Sequence, residues 1–165
     1  MSVAVLFLDF DGVLNCKEFF ATEAHHESEE GALDPVAVER VNQIVAATGA
    51  VVVVSSSWRH GRTLDELTGL LQRRGFVGDV YGKTADYDDV WTQRGDEIHA
   101  WLKEHPEVSR YVVLDDDNDM DAVRARFIQT DMHGGGLLDA HVVQAIAMLR
   151  GDGETASNED NDDGG

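Results

Sequence analysis

Six apolar residues, Val3 to Leu8, run without a break into a carboxylate, Asp9. Two further runs have the same form: Ala50 to Val54 enters Ser55-Ser56-Ser57, and Arg110-Tyr-Val-Val-Leu114 enters Asp115-Asp116-Asp117. Short apolar runs rich in β-branched residues, without alternation, read as strands buried on both faces of a parallel sheet. Between them the spacing changes to that of helices. Asp34-Pro35 supplies an N-cap and a proline at the first helical position. Val36, Val38, Val41, Ile44 and Val45 follow at helical intervals, and Gly49 ends the helix. Thr63 caps a second helix carrying Leu64, Leu67, Leu70 and Leu71, with Gly75 as its stop. A third is predicted over Asp96 to Glu104, with Ile98, Trp101 and Leu102 inward, and a closing one over Leu138 to Leu149. Weaker patterns predict strands at Phe76 to Tyr81 and Phe127 to Thr130, and a short helix from Met120 to Arg126. Residues 16–34 and 82–92 read as loops, and Gly134-Gly-Gly136 as a turn.

Strand and helix alternate about five times, which predicts a three-layer, Rossmann-like α/β fold with a parallel sheet of about five strands and right-handed crossovers. In such sheets the ligand crevice lies beyond the carboxyl ends of the strands. Asp9, Ser55 and Asp115 each end a predicted buried strand, so they are expected to meet at one edge. Asp11 follows two residues after Asp9, with Gly12 behind it. Two carboxylates this close repel each other, and a cation or a shared proton is the usual resolution.

Charge narrows the partners. The chain carries 13 basic and 32 acidic residues, a formal net charge of -19. Residues 151–165 contain six of the acidic residues and no basic one, and are expected to be a disordered tail behind a single domain at 1–150. A field of this sign does not attract a polyanion, so no extended nucleic-acid footprint is expected. A phosphorylated partner must be held by a metal or a local basic patch. The single cysteine, Cys16, excludes an internal disulfide and suits a reducing compartment. The first apolar run is too short for a membrane span and has no basic leader, so a soluble, cytoplasmic protein is expected. His25, His26 and His133 read as solvated loop residues, and Cys/His spacing for zinc is absent.

Phe7-Leu-Asp9-Phe-Asp11-Gly12-Val-Leu-Asn15 resembles the first motif of the haloacid dehalogenase-like (HAD) phosphohydrolases, Asp-x-Asp-Gly-x-Leu. The run into Ser55 is similar to their second motif, and Leu114-Asp115-Asp116 to their fourth. The third motif is a lone basic residue. Arg94 is the first choice and Lys83 the alternative. The resemblance implies Asp9 as nucleophile and magnesium ligand, and Asp11 as general acid and then base, its carbonyl also meeting the metal. It implies Ser55 as a partner of the phosphoryl oxygens, and Asp115 with Asp116 as further metal ligands. The register of the aspartate run is open by one, and Asp119 is a further candidate.

The segments after Asp11 and after Ser55 are short and leave no room for a cap domain. Ser55-Ser-Ser-Trp58-Arg59, the run from Arg94 to Leu102 and Gly136-Leu137 resemble the HAD domains of RNA-repair and polynucleotide kinase-phosphatase proteins. On that likeness Ser56, Arg59 and Lys83 are candidates for substrate contact, and Arg62 is an even choice between substrate and a surface ion pair. Trp58 reads equally as packing or as a base-stacking platform. The expected activity is Mg²⁺-dependent hydrolysis of a phosphomonoester through an aspartyl-phosphate, on a nucleic-acid end or on a nucleotide or small metabolite. A phospho-accepting receiver-type domain ranks lower, because there no Asp-x-Asp ends the first strand. A non-catalytic HAD-like binding module is the remaining reading.

Overall fold

The computed structural model describes residues 2–26, 28–85 and 92–151. Five strands, β1 (Val3–Leu8), β2 (Val51–Val54), β3 (Val80–Lys83), β4 (Val108–Asp115) and β5 (Phe127–Gln129), form one sheet in the order β3-β2-β1-β4-β5. Every pairing is parallel. Among the described residues five α-helices accompany them: α1 (Lys17–Phe20), α2 (Pro35–Thr48), α3 (Leu64–Arg73), α4 (Arg94–Lys103) and α5 (Asp139–Arg150). This is the three-layer α/β architecture that the alternating pattern predicts. No cap domain stands over the strand ends among the described residues. None of the described helices is long and apolar enough to cross a membrane.

The strands are apolar on both faces because both faces are covered. Leu6, Leu8, Val52, Val54, Val112 and Leu114 pack with α2, α3 and α5. Val5, Phe7, Val53 and Val113 pack with Ile98 and Trp101 of α4 and with Met120 and Val123. Alternation along each strand therefore sorts the side chains between two cores. Each fully buried aliphatic or aromatic side chain is worth about 1.5–3 kcal/mol of transfer free energy. Trp101 meets Phe7 edge-on at 5.4 Å between ring centroids, which seats α4 across β1.

Helix α2 begins as expected, with Asp34 accepting from Val36 N–H and Pro35 behind it, and ends at Gly49 in the left-handed region. Three predicted boundaries differ. The third strand lies at Val80–Lys83, not Phe76 to Tyr81: Phe76 is instead a buried core residue following the glycine that ends α3. Residues 16–34 contain the single-turn α1 and a 3-10 turn, Glu30–Ala32, where only loop is expected. Helix α4 starts at Arg94, earlier than the local pattern suggests, because Asp119 from a distant segment caps it. Parts of the expected acidic loop (86–91) and of the expected tail (152–165) lie outside the described residues.

Candidate active site

Register places the chemistry. Leu8 pairs with Val54 on one side and Leu114 on the other, and Val54 pairs with Lys83. One residue further on, the row reads Thr84, Ser55, Asp9, Asp115 across four strands. The backbone ladder continues into this row: Asp9 N–H donates to Leu114 O, Ser55 N–H to Leu8 O and Thr84 N–H to Val54 O. Period-two alternation from Phe7, Val53 and Val113 puts Asp9, Ser55 and Asp115 on the face that α4 covers. All three are buried, Ser55 and Asp115 completely.

Arg94, at the first position of α4, answers the two carboxylates. Its Nη1 lies 3.1 Å from Asp9 Oδ1 and 3.0 Å from Asp115 Oδ2. Two features of the fold hold it there. Asp119 accepts Arg94 N–H through Oδ2 at 3.0 Å and Gly95 N–H through its carbonyl at 2.9 Å. Gly95 permits the approach: a Cβ there would stand 2.9 Å from Met120 Cα. Asp119 thus caps α4 and positions Arg94. Lys83 stands elsewhere, its Nζ donating to Arg62 O at 2.7 Å. Of the two basic candidates, the structure brings Arg94 to the carboxylates.

One arginine does not balance this cluster. Burial, then the charge of Asp115, push the Asp9 carboxyl up to about 9, against the pull of Arg94. Burial also raises Asp115, though Arg94 and the N–H of Asp117 oppose it. Burial pulls the Arg94 guanidinium down, but Asp115 and Asp9 outweigh it and hold it above its ordinary value. Asp116 joins the pair: Asp9, Asp115 and Asp116 offer carboxylate oxygens within 4.8 Å of one another. Gly12 makes room for it, with φ +81° and space that a Cβ would share with Asp116 Oδ2 at 2.2 Å. Three anionic oxygen donors, two of them buried, suit a hard divalent cation such as magnesium.

Asp11 is not part of that oxygen cluster. Its Oδ1 accepts from Asn15 Nδ2 at 3.0 Å and its Oδ2 from the Trp58 indole N–H at 3.0 Å. Its expected contact with a metal would rest on its backbone carbonyl. Asn15 is buried and fixed in turn, accepting Gly12 N–H at 2.9 Å and donating to Ala32 O at 3.1 Å. Ser55 Oγ and Thr84 Oγ1 are buried and have no hydrogen-bond partner among the described residues. An unpartnered buried hydroxyl is costly, which marks this part of the row as a place for a ligand's polar atoms.

All three of the expected substrate contacts, Arg59, Ser56 and Lys83, make bonds within the fold. The Arg59 side chain is 2% exposed and forms an ion pair with Glu97 of α4. Its Nη1 donates to the carbonyls of Ser55 and Ser56 at 3.2 and 2.8 Å. Arg59 therefore braces the loop that carries Ser55 against the helix that carries Arg94. The Arg59 guanidinium is thus engaged within the fold, with its contacts to the Ser55 and Ser56 carbonyls and to Glu97. Ser56 is buried, and its hydroxyl accepts Trp58 N–H at 3.2 Å, capping the 3-10 turn Ser57–Arg59. Lys83 likewise ties β3 to the chain after that turn. Arg62 pairs with Glu29 at 2.8 Å and lies over the Trp58 ring. Glu97, Asn15 and Asp119 were not given these roles by the sequence pattern. The one available signal was the position of Glu97, nearly one turn after Arg94 on the same helix.

A five-stranded parallel sheet whose first strand ends in Asp-x-Asp-Gly, with the fourth strand's aspartates and an arginine closing on the first aspartate, defines a HAD-type domain. Such domains point to phosphatase-type hydrolysis. Over residues 5–142 the chain matches the family described as the HAD domain in Swiss Army Knife RNA repair proteins, and it belongs to that family. No curated protein and no solved structure matches it.

Proposed function

We propose that the chain is a Mg²⁺-dependent phosphomonoester hydrolase that works through an aspartyl-phosphate on Asp9. The observation that carries this reading is the cluster in which Arg94 Nη1 joins Asp9 and Asp115, with Asp116 alongside. An anionic nucleophile attacks an anionic ester only where charge is neutralised in advance. Arg94 does part of this. Asp9, Asp115 and Asp116 would hold the magnesium ion, which supplies the remaining positive charge at the phosphoryl oxygens.

The protein's own groups then account for the bonds. An Asp9 carboxylate oxygen forms a bond to phosphorus as the bond to the leaving oxygen breaks. Asp11 gives that oxygen a proton. In the second half a water attacks phosphorus, its proton passes to Asp11, and the Asp9–phosphorus bond breaks. Ser55 Oγ, buried and without a hydrogen-bond partner among the described residues, would donate to a phosphoryl oxygen.

The substrate class proposed is the terminal phosphate of a nucleic acid. The absence of a cap among the described residues favours a large substrate that presents one end, and the family's description concerns RNA repair proteins. The net charge of -19 limits such a substrate to contact at its end. The test is Mg²⁺-dependent hydrolysis of an aryl phosphate by wild type and Asp9→Asn, followed by 3′- and 5′-phosphorylated oligonucleotides against mononucleotides and sugar phosphates. Equal activity in the first pair removes Asp9 as nucleophile. Activity on the metabolites alone removes the nucleic-acid end.

A further inference from the structure

The residue after the Ser55-Ser56-Ser57 run packs in a way that links the two halves of the site. Trp58 lies in the 3-10 turn that follows β2, yet its indole N–H donates to Asp11, beyond the end of β1. The ring is held on several sides. Phe10 meets it at 5.4 Å between centroids and 64° between planes. The Arg62 guanidinium lies 5.4 Å from its centroid, and Arg62 also donates to the Trp58 carbonyl at 3.0 Å. Ser56 fixes its backbone N–H. A ring this constrained presents its N–H in one direction.

We propose that Trp58 is a positioning residue for the proton-transferring carboxyl of Asp11, a role that rests on the phosphatase reading above. Indole N–H and amide NH₂ groups are donors only. The lone pairs of Asp11 that face Trp58 and Asn15 therefore cannot carry a proton. Any proton on Asp11 sits on one of the lone pairs those donors leave open. Trp58 and Asn15 together set the plane of the carboxyl and the positions from which it can give a proton to a leaving oxygen or take one from water. Trp58 acts through Asp11, and it couples the loop after β2 to the loop after β1.

General acid catalysis matters in proportion to the basicity of the leaving oxygen. An alkoxide leaving group needs the proton of Asp11, whereas 4-nitrophenolate departs with little need of it. Trp58→Phe removes the N–H and keeps an aromatic ring against Phe10. With an alkyl phosphate, kcat/KM of Trp58→Phe is expected to fall by about 30-fold, a part of the roughly 100- to 10,000-fold that general acid catalysis contributes. With 4-nitrophenyl phosphate kcat/KM of the same variant, which reports only the steps up to departure of the leaving group, should fall by no more than about 3-fold, because little proton transfer to that group is needed. Equal losses on both substrates, or no loss on either, would overturn the proposal, since a merely structural ring would act on both alike. A second measurement needs neither activity nor the Trp58 variant. In ¹H–¹⁵N spectra of the full chain, the Trp58 indole signal should shift on Asp11→Ala while those of the other two tryptophans stay in place. An unmoved Trp58 signal overturns the contact itself. Wild type inactive on both phosphates, with the indole signal shifting as expected, would instead defeat the phosphatase reading and this role with it.

Discussion

Arg59 and Glu97 form an ion pair inside the protein, one from the turn after β2 and the other from α4, 38 residues apart in sequence. Burial raises the Glu97 carboxyl, and Arg59 opposes that rise. Removing one partner from such a pair leaves a buried charge without its counterpart, at a cost of about 3–5 kcal/mol. Arg59→Met should therefore lower the thermal midpoint strongly, measured by calorimetry, and Glu97→Gln should do so to a lesser degree because it keeps a polar group at the position. A shift within error of wild type for both would show that the pair carries no weight.

Of the two basic candidates, Arg94 lies against Asp9 and Asp115 and Lys83 does not, and Arg94 is the one proposed for the reaction. Arg94→Ala should reduce kcat by about 100-fold or more, as loss of a charged donor to a reacting anion does. Lys83→Ala should leave kcat within about 3-fold, since it removes a bond to the Arg62 carbonyl and no contact to the carboxylates. Steady-state kinetics on one aryl phosphate decides between them, and the reverse ranking would return the role to Lys83.

The raised carboxyl of Asp9 has a consequence for stability in chelator. Its pKa is 3.8 in an ordinary setting and about 9 in the folded chain. The folded state holds this proton more tightly, so the stabilisation is fully present below the unfolded value and is lost as pH rises through the folded one. With EDTA present, the thermal midpoint should fall between about pH 4 and pH 9. Magnesium should raise the midpoint more at pH 8 than at pH 5. Asp115→Asn should flatten the EDTA profile, because it removes the charge that repels an ionised Asp9.

Gly12 offers a test of the proposed cation cluster that removes no carboxylate from the sequence. Gly12→Ala puts a Cβ where Asp116 Oδ2 stands and forces a left-handed residue, itself a strain of about 1–2 kcal/mol. Magnesium affinity, read from the metal dependence of the thermal midpoint, should weaken by about 10-fold or more, the scale seen when the groups that orient metal ligands are lost. Unchanged affinity would take Asp116 out of the cation cluster.

The sheet and the carboxylate edge were legible in the sequence because each buried strand announces itself locally. A run such as Val3 to Leu8 has no polar interruption, so the first polar residue after it marks the strand's end. The short strand β3 failed this test. It has four residues, none fully buried, with Gly82 among them, while Phe76 nearby is core without being strand. The supporting contacts were not legible for a different reason. Trp58 meets Asp11 across 47 residues, Asp119 caps Arg94 across 25, and Arg59 meets Glu97 across 38. Each residue alone has an ordinary local explanation, as a packed ring, a spare acid and a surface base. Only the fold pairs them. The surplus of aspartates after β4 likewise resolved only in space, where Asp115 and Asp116 join Asp9 and Asp119 turns to the helix.

The row of Thr84, Ser55, Asp9 and Asp115 makes the sheet a ruler for the chemistry. A parallel ladder advances in single residues, and each step reverses the face. One residue added to or removed from β1 would carry Asp9 to the opposite core, under α2 and away from Arg94, with the composition almost unchanged. Lengthening the connections between strands would leave that alignment intact. Among relatives of this chain, variation in length should therefore collect between the strands and the helices, while the count of residues from each strand's first ladder pair to its polar end stays fixed.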